Sequence, residues 1–265
     1  MINLNISKQF STQYQVARPF PYIVIDNFLP ESILNSVISE IDKNKNWAYD
    51  TVKWTEPFQV NKFYWPNDAE SANNLPKDLP VTSTLINYLN SSEMLKFLEE
   101  LTGIKNLMAD ELLMGGGLHR IKSGGKLSIH KDYTVHPLKK IYRRLNLLLY
   151  LNKDWKSEWG GNLELWDKNI KNAEVKVEPI FNRVVIFTIG DDSLHGHPVP
   201  LNTPSDINRD SISLYYFTEE NPKNDDGQSV MFFHTKPFQA ATESSSGGTI
   251  DQGDFDSELC SIFSV

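Results

Sequence analysis

One cysteine, Cys260, stands among 265 residues. A lone thiol cannot close a disulfide within the chain or build a thiolate metal cage, and it favours a reducing, cytoplasmic setting. No stretch approaches the roughly 18 consecutive apolar residues that a membrane helix needs. Met1 to Phe20 lacks the apolar core behind basic residues that marks a secretory signal. Basic charge is also scarce: 26 Lys and Arg face 34 Asp and Glu, a net charge of −8. That balance argues against nucleic acid as a partner, because phosphate contacts require a basic surface. Gly115-Gly116-Gly117 has no following Lys-Ser/Thr, so it is not a phosphate loop; it suits a close approach of backbone to a neighbouring strand or a small ligand. No internal repeat is present.

What is present is enough apolar material for a substantial core, in one large domain or two small ones, 40% hydrophobic against 23% charged. Residues 1–18 carry little pattern and read as an N-terminal arm, and a main domain follows over 19–220. Tyr22 to Phe28 is β-branched and aromatic, hence a strand. Leu29-Pro30-Glu31 opens a helix on which Ile33, Leu34, Val37, Ile38 and Ile41 share a face. Trp47 to Asp78 is rich in aromatics, Pro and Asn without a period, and its Trp47–Trp65 part is expected on the substrate side of a site. Helical patches follow at Thr82–Leu89 and Ser92–Leu101, the second closed by Gly103. From about 112 to 218 the chain alternates short strands and turns: 115–121, 127–133, 145–151, 162–166, 174–178, 182–188 and 211–217. Seven strands at this spacing predict a mainly β barrel or sandwich with flanking helices. Residues 221–265 read as a C-terminal extension, flexible from about 240, where Ser, Thr and Gly dominate. His234 within it receives no role.

The chemistry gathers around His130-Lys131-Asp132. Residues i and i+2 of a strand point the same way, so an imidazole and a carboxylate leave the backbone side by side. A third ligand is available 63 residues beyond Asp132 at His195, or at His197, just after the 182–188 strand. Two histidines and one carboxylate form the facial triad of non-haem iron enzymes. Arg209 and Ser211 share a face of the last strand, where a guanidinium fork and a hydroxyl suit a bound carboxylate. Asn146, Leu148 and Tyr150 share a face of the 145–151 strand, and Tyr150 offers a phenolic donor to the same anion. His119 and His136 flank the site and read as polar or packing residues. Lys139, Lys140, Arg143 and Arg144 read as a solvated strand entrance, with an anionic-substrate site as the alternative.

These motifs resemble the iron- and 2-oxoglutarate-dependent oxygenases, and within them the prolyl 4-hydroxylase-like group. Arg143 to Trp155, followed by Gly160-Gly161-Asn162-Leu163-Glu164-Leu165, is similar to the oxygen-sensing prolyl hydroxylases. Phe20 to Leu29 is similar to the start of bacterial and phage members. The resemblance spans about residues 19–218 and implies a double-stranded β-helix, a jelly-roll barrel supported by N-terminal helices. It implies iron held by His130, Asp132 and His195, the last preferred to His197. It also implies that Arg209, with Ser211, Tyr150 and Asn146, binds 2-oxoglutarate. Collagen-type members carry Lys where this chain has Arg209, and often Tyr where it has Leu127. The expected reaction is hydroxylation of an unactivated C–H of a peptide (a prolyl residue being one candidate) or of a small molecule. Dioxygen is consumed and 2-oxoglutarate becomes succinate, with ascorbate an optional reductant. Halogenases of this kind lack the carboxylate ligand; Asp132 is present, which favours hydroxylation. The competing expectations are a non-catalytic jelly-roll binding protein and a cupin-type metal hydrolase or isomerase.

Overall fold

The computed structural model describes residues 6–49, 59–65, 75–222 and 231–232. His234, Cys260 and the expected flexible stretch beyond 240 lie outside the described residues.

The elements run α1 (Ile6–Val16), β1 (Tyr22–Ile25), α2 (Glu31–Lys43), β2 (Ala48–Tyr49), β3 (Gln59–Tyr64), α3 (Pro80–Leu89), α4 (Ser92–Thr102) and β4 (Met108–Ala109). They continue through β5 (Gly117–Lys131), β6 (Tyr142–Tyr150), β7 (Leu163–Trp166), β8 (Ala173–Val177), β9 (Val184–Thr188), β10 (His195–His197), β11 (Arg209–Thr218) and β12 (Met231–Phe232). Along the sheet the main order is β1-β9-β6-β11-β5-β10-β7-β8, with antiparallel pairing from each strand to the next. Consecutive strands of the chain are thus seldom neighbours, and the sheet curls into the expected jelly-roll barrel. Two of the expected strands, 115–121 and 127–133, are one long strand, β5. No helix among the described residues is long and apolar enough to cross a membrane.

The arm expected at the N-terminus contains a helix instead. On α1 most positions are polar, which hides the periodicity. Yet Tyr14 is fully buried and donates or accepts a 2.6 Å bond with Thr188, so a few anchors dock the helix. The helices cover one face of the sheet. Leu34, Val37 and Ile41 of α2, with Met94, Phe97, Leu98 and Leu101 of α4, pack against Leu145, Leu147, Leu149, Ile212, Leu214 and Tyr216. Burying side chains of this size stabilises by roughly 1.5–3 kcal/mol each before chain entropy is counted. Caps frame α4: the Ser91 hydroxyl accepts from the Met94 N–H at 3.3 Å, and Gly103 turns out at φ 79.

Alternation then dictates what faces inward. With Leu145, Leu147 and Leu149 under the helices, Asn146, Leu148 and Tyr150 point into the barrel. A second, smaller apolar cluster of Phe20, Tyr150, Leu163, Leu165, Val185 and Phe187 fills that interior beside a polar cavity. The Trp47–Trp65 segment divides. Trp47 and Trp65 pack edge-on at 5.4 Å in the helix-side core, with the Arg120 guanidinium 4.2 Å over Trp47. Between them, Gln59 and Lys62 of β3 reach the cavity.

Candidate metal and cosubstrate site

The site begins with strand pairing. Antiparallel register sets His195 of β10 directly opposite His130 of β5, and their rings lie 4.4 Å apart. The pairing slips next door: His197 faces Leu127, so β5 carries one residue more than β10 between the two pairs. Such a bulge re-aims side chains. It also brings the backbone close, since a Cβ at Gly196 would lie 2.6 Å from the Ser128 carbonyl oxygen. Gly196 is required by this approach, and the same Ser128 carbonyl accepts the His130 Nδ1 contact at 2.9 Å.

Each ligand histidine is oriented by a backbone carbonyl two residues earlier. Nδ1 of His130 bonds Ser128 O, and Nδ1 of His195 bonds Ser193 O, both at 2.9 Å. With the proton held on Nδ1, the Nε2 lone pair of each ring is left for a metal. Both Nε2 atoms converge on Asp132, at 3.5 Å for His130 to Oδ1 and 3.4 Å for His195 to Oδ2. The three ligand atoms lie within 4.8 Å of one another, the one such cluster among the described residues. Burial, then the neighbouring His130, draw the His195 pKa down to about 4, so the ring is neutral and able to ligate. Burial alone would raise the Asp132 pKa, but Arg143 and the two histidines outweigh it and hold the carboxyl well below the usual range. Two imidazoles with Nε2 turned to the site and one carboxylate on one face fit a divalent iron.

His197 is not in that cluster. It is buried on the same face as His195, nearer Arg209, with no hydrogen-bond partner for Nδ1. Burial, with Arg209 and other cations nearby, keeps it neutral. His136, by contrast, is paired with Asp110 at 3.2 Å and packed on Phe217, as a packing role requires.

The far end of the cavity is cationic. Arg209 donates from Nε to Gly161 O at 2.8 Å and from Nη2 to the Tyr150 hydroxyl at 3.2 Å. Gly161 fits this tight corner because it has no side chain. A Cβ there would fall 2.5 Å from Leu201 and 3.1 Å from Arg209 Cδ, and its φ is +72. No carboxylate among the described residues stands within ion-pair distance of Arg209, although the residue is only 5% exposed. Its strand neighbour Asp210 faces away and is bonded twice by Arg120, at 2.8 and 2.6 Å. Ser211, His119 and Lys62 line the cavity beside Arg209. The cavity of about 230 Å³ runs from this end to His130, Asp132 and His195. Tyr150 stands behind Arg209, its hydroxyl pKa raised by burial.

Asn146 sits elsewhere than among the clamp residues. Its Nδ2 donates to Asp132 Oδ2 at 2.8 Å and its Oδ1 accepts from Arg143 Nε at 2.9 Å. Arg143 itself corrects the reading of 139–144 as a solvated entrance, because its side chain is 1% exposed and lies 3.0 Å from Asp132. Strict alternation from Leu145 would send Arg143 outward. However, the register moves from Leu145↔Tyr216 to Arg143↔Phe217, making Arg144 the extra residue of a bulge. That one residue turns Arg143 inward, onto the face of Asn146. Lys139 behaves as expected at the surface, 38% exposed beside Glu111.

The model of the "2OG-Fe(II) oxygenase superfamily" matches residues 116–217, a span that contains His130, Asp132, Arg143, Asn146, Tyr150, His195, Arg209 and Ser211. Over those residues the chain is similar to that superfamily. It is also similar in fold to solved prolyl hydroxylases. One is a Trichoplax adhaerens prolyl hydroxylase, described in complex with a hypoxia inducible factor peptide fragment. It is 22% identical at a TM-score of 0.56, over 82% of this chain and 92% of that one. A Pseudomonas putida prolyl-4-hydroxylase is 16% identical at 0.51, over 80% and 99%. A Phytophthora capsici prolyl 4-hydroxylase is 24% identical at 0.53, over 81% and 64%. At these identities the likeness speaks for the fold.

Proposed function

We propose that the chain is an Fe(II)- and 2-oxoglutarate-dependent hydroxylase acting on a C–H of a peptide or small molecule. One observation carries it: a two-histidine, one-carboxylate cluster and a buried Arg209, with no carboxylate partner among the described residues, stand at opposite ends of a single cavity. A buried cation without a counter-ion is costly unless an anion completes the site. A dianion with a chelating group at one end and a carboxylate at the other satisfies both ends at once.

His130, His195 and Asp132 would hold the metal, and Arg209 with Ser211 would receive the distal carboxylate. Tyr150 and Gly161 fix the guanidinium through its Nη2 and Nε bonds, so the fork is aimed before the anion arrives. When bound, iron and 2-oxoglutarate supply the oxidising power, the cosubstrate being decarboxylated to succinate. The remaining work of the protein is positional. Leu127, Leu148 and Leu163 form apolar cavity wall and keep water from the reacting end, while Tyr133 and Tyr215 line it near Arg143.

The likeness to prolyl hydroxylases supports placing prolyl peptides first among trial substrates, beside free amino acids and other small molecules. A cytoplasmic setting is proposed from the single cysteine. The binding-protein and cupin-hydrolase alternatives are disfavoured by the intact ligand set joined to Arg209. The test is a screen of such compounds with Fe(II), 2-oxoglutarate and dioxygen, with and without ascorbate. A substrate gains one oxygen in step with succinate release. Conversion that proceeds equally without 2-oxoglutarate overturns the proposal.

A further inference from the structure

The two oxygens of Asp132 are not equivalent. Oδ2 accepts from Asn146 Nδ2 at 2.8 Å and is ion-paired with Arg143 Nη2 at 3.0 Å. Arg143 Nε is bonded in turn to Asn146 Oδ1 at 2.9 Å, which closes a three-membered ring of Asp132, Asn146 and Arg143. The guanidinium is locked from outside as well, lying 3.5 Å from the centre of the Tyr215 ring and 4.7 Å from that of Tyr133. The Tyr215 hydroxyl donates to Gly115 O at 2.8 Å, and that of Tyr133 to Met114 O at 2.8 Å, which pins both rings. Each oxygen also faces one ligand histidine, Oδ1 the His130 Nε2 at 3.5 Å and Oδ2 the His195 Nε2 at 3.4 Å, so only Oδ2 carries the Arg143 and Asn146 contacts in addition.

We infer that Arg143 is a positioning residue that restricts Asp132 to one metal-binding oxygen. A carboxylate can ligate through one oxygen or through both. If Oδ2 were uncommitted it could swing onto the metal and occupy a position that 2-oxoglutarate or dioxygen needs. Arg143 and Asn146 commit Oδ2, and the cation also tempers the donor strength of the carboxylate. The arrangement exchanges some metal affinity for open coordination positions. The bulge at Arg144 makes this geometry, since without it Arg143 would face the helices.

This inference rests on the metal and cosubstrate reading above, and its test separates the two. Metal-free protein is titrated anaerobically with Co(II) and then with 2-oxoglutarate, for wild type, Arg143→Met, Arg143→Lys and Asn146→Leu. If wild type binds neither, the functional reading itself fails and the inference goes with it. If wild type binds both, Arg143→Met is expected to bind Co(II) about tenfold more tightly, because a nearby like charge is gone and Oδ2 is released. The same variant is expected to bind 2-oxoglutarate about tenfold more weakly, with an altered Co(II) visible spectrum. Arg143→Lys keeps a cation and should fall between the two. Asn146→Leu, which removes one bond and no charge, should weaken 2-oxoglutarate without tightening Co(II) as much. A merely structural role predicts that both affinities fall together. Loss of both in a variant whose circular dichroism is native, or no change in either, overturns the inference.

Discussion

Replacing Arg209 by Met is expected to separate ligand binding from folding in opposite directions. In the free protein the guanidinium is buried, spends one N–H on Gly161 O and one on Tyr150, and has no carboxylate partner among the described residues. A guanidinium carries five N–H groups, so three remain for an incoming anion. Two charge-assisted bonds to a carboxylate in such a site are worth about 3 kcal/mol, or roughly 150-fold in Kd. Removing the cation, however, also removes an uncompensated buried charge. The thermal midpoint of the free protein should therefore hold or rise, while the rise that 2-oxoglutarate gives wild type should vanish. Isothermal titration with Mn(II)-loaded protein and a thermal scan with and without 2-oxoglutarate read both effects. If Arg209→Met bound 2-oxoglutarate within about threefold of wild type, the clamp assignment would be wrong.

Other outcomes follow from the same geometry. His197→Ala should retain Fe(II) binding, whereas His195→Ala should lose it by tenfold to a hundredfold or more, as read by metal titration; the reverse would exchange their roles. Gly196→Ala should unfold the protein more readily by about 1–3 kcal/mol in urea, because its Cβ has 2.6 Å to the Ser128 oxygen; an unchanged midpoint would contradict that crowding. The metal-free protein should lose stability as pH falls from 6.5 towards 4. In that window the unfolded chain protonates residue 195 while the folded one, with its pKa near 4, does not. That difference amounts to roughly 3 kcal/mol, and a His195→Gln variant should show a correspondingly flatter urea midpoint against pH.

How much of this was legible in the sequence depended on alternation. The β6 core shows it plainly: Leu145, Leu147 and Leu149 alternate with Asn146, Leu148 and Tyr150, and the structure buries the two sets on opposite faces. His130, Asp132, His195, Arg209 and Ser211 could be assembled because strand parity and motif order agreed. Tyr150 took its place as a support for Arg209. Parity failed wherever a bulge intervened. Arg143 looked like one of four surface cations because the extra residue at Arg144 cannot be read from residue types. Asn146 was grouped with the cosubstrate residues because it shares a strand face with Tyr150, and in the structure both ends of its amide are engaged by Asp132 and Arg143. The helix at Ile6–Val16 escaped because it docks by few residues, Tyr14 above all, and not by a continuous stripe. The strand His195–His197 is three residues long, too short for a period, and only its pairing with β5 and β7 defines it.

The central claim is that one cavity holds a metal at His130, Asp132 and His195 and 2-oxoglutarate between that metal and Arg209. Anaerobic titration of the metal-free protein with Fe(II) and then 2-oxoglutarate tests it most directly. The expected result is a visible charge-transfer band that saturates at one iron and one 2-oxoglutarate per chain and is absent in His130→Ala. A wild-type protein that binds iron at these residues yet shows no band with saturating 2-oxoglutarate would contradict the account.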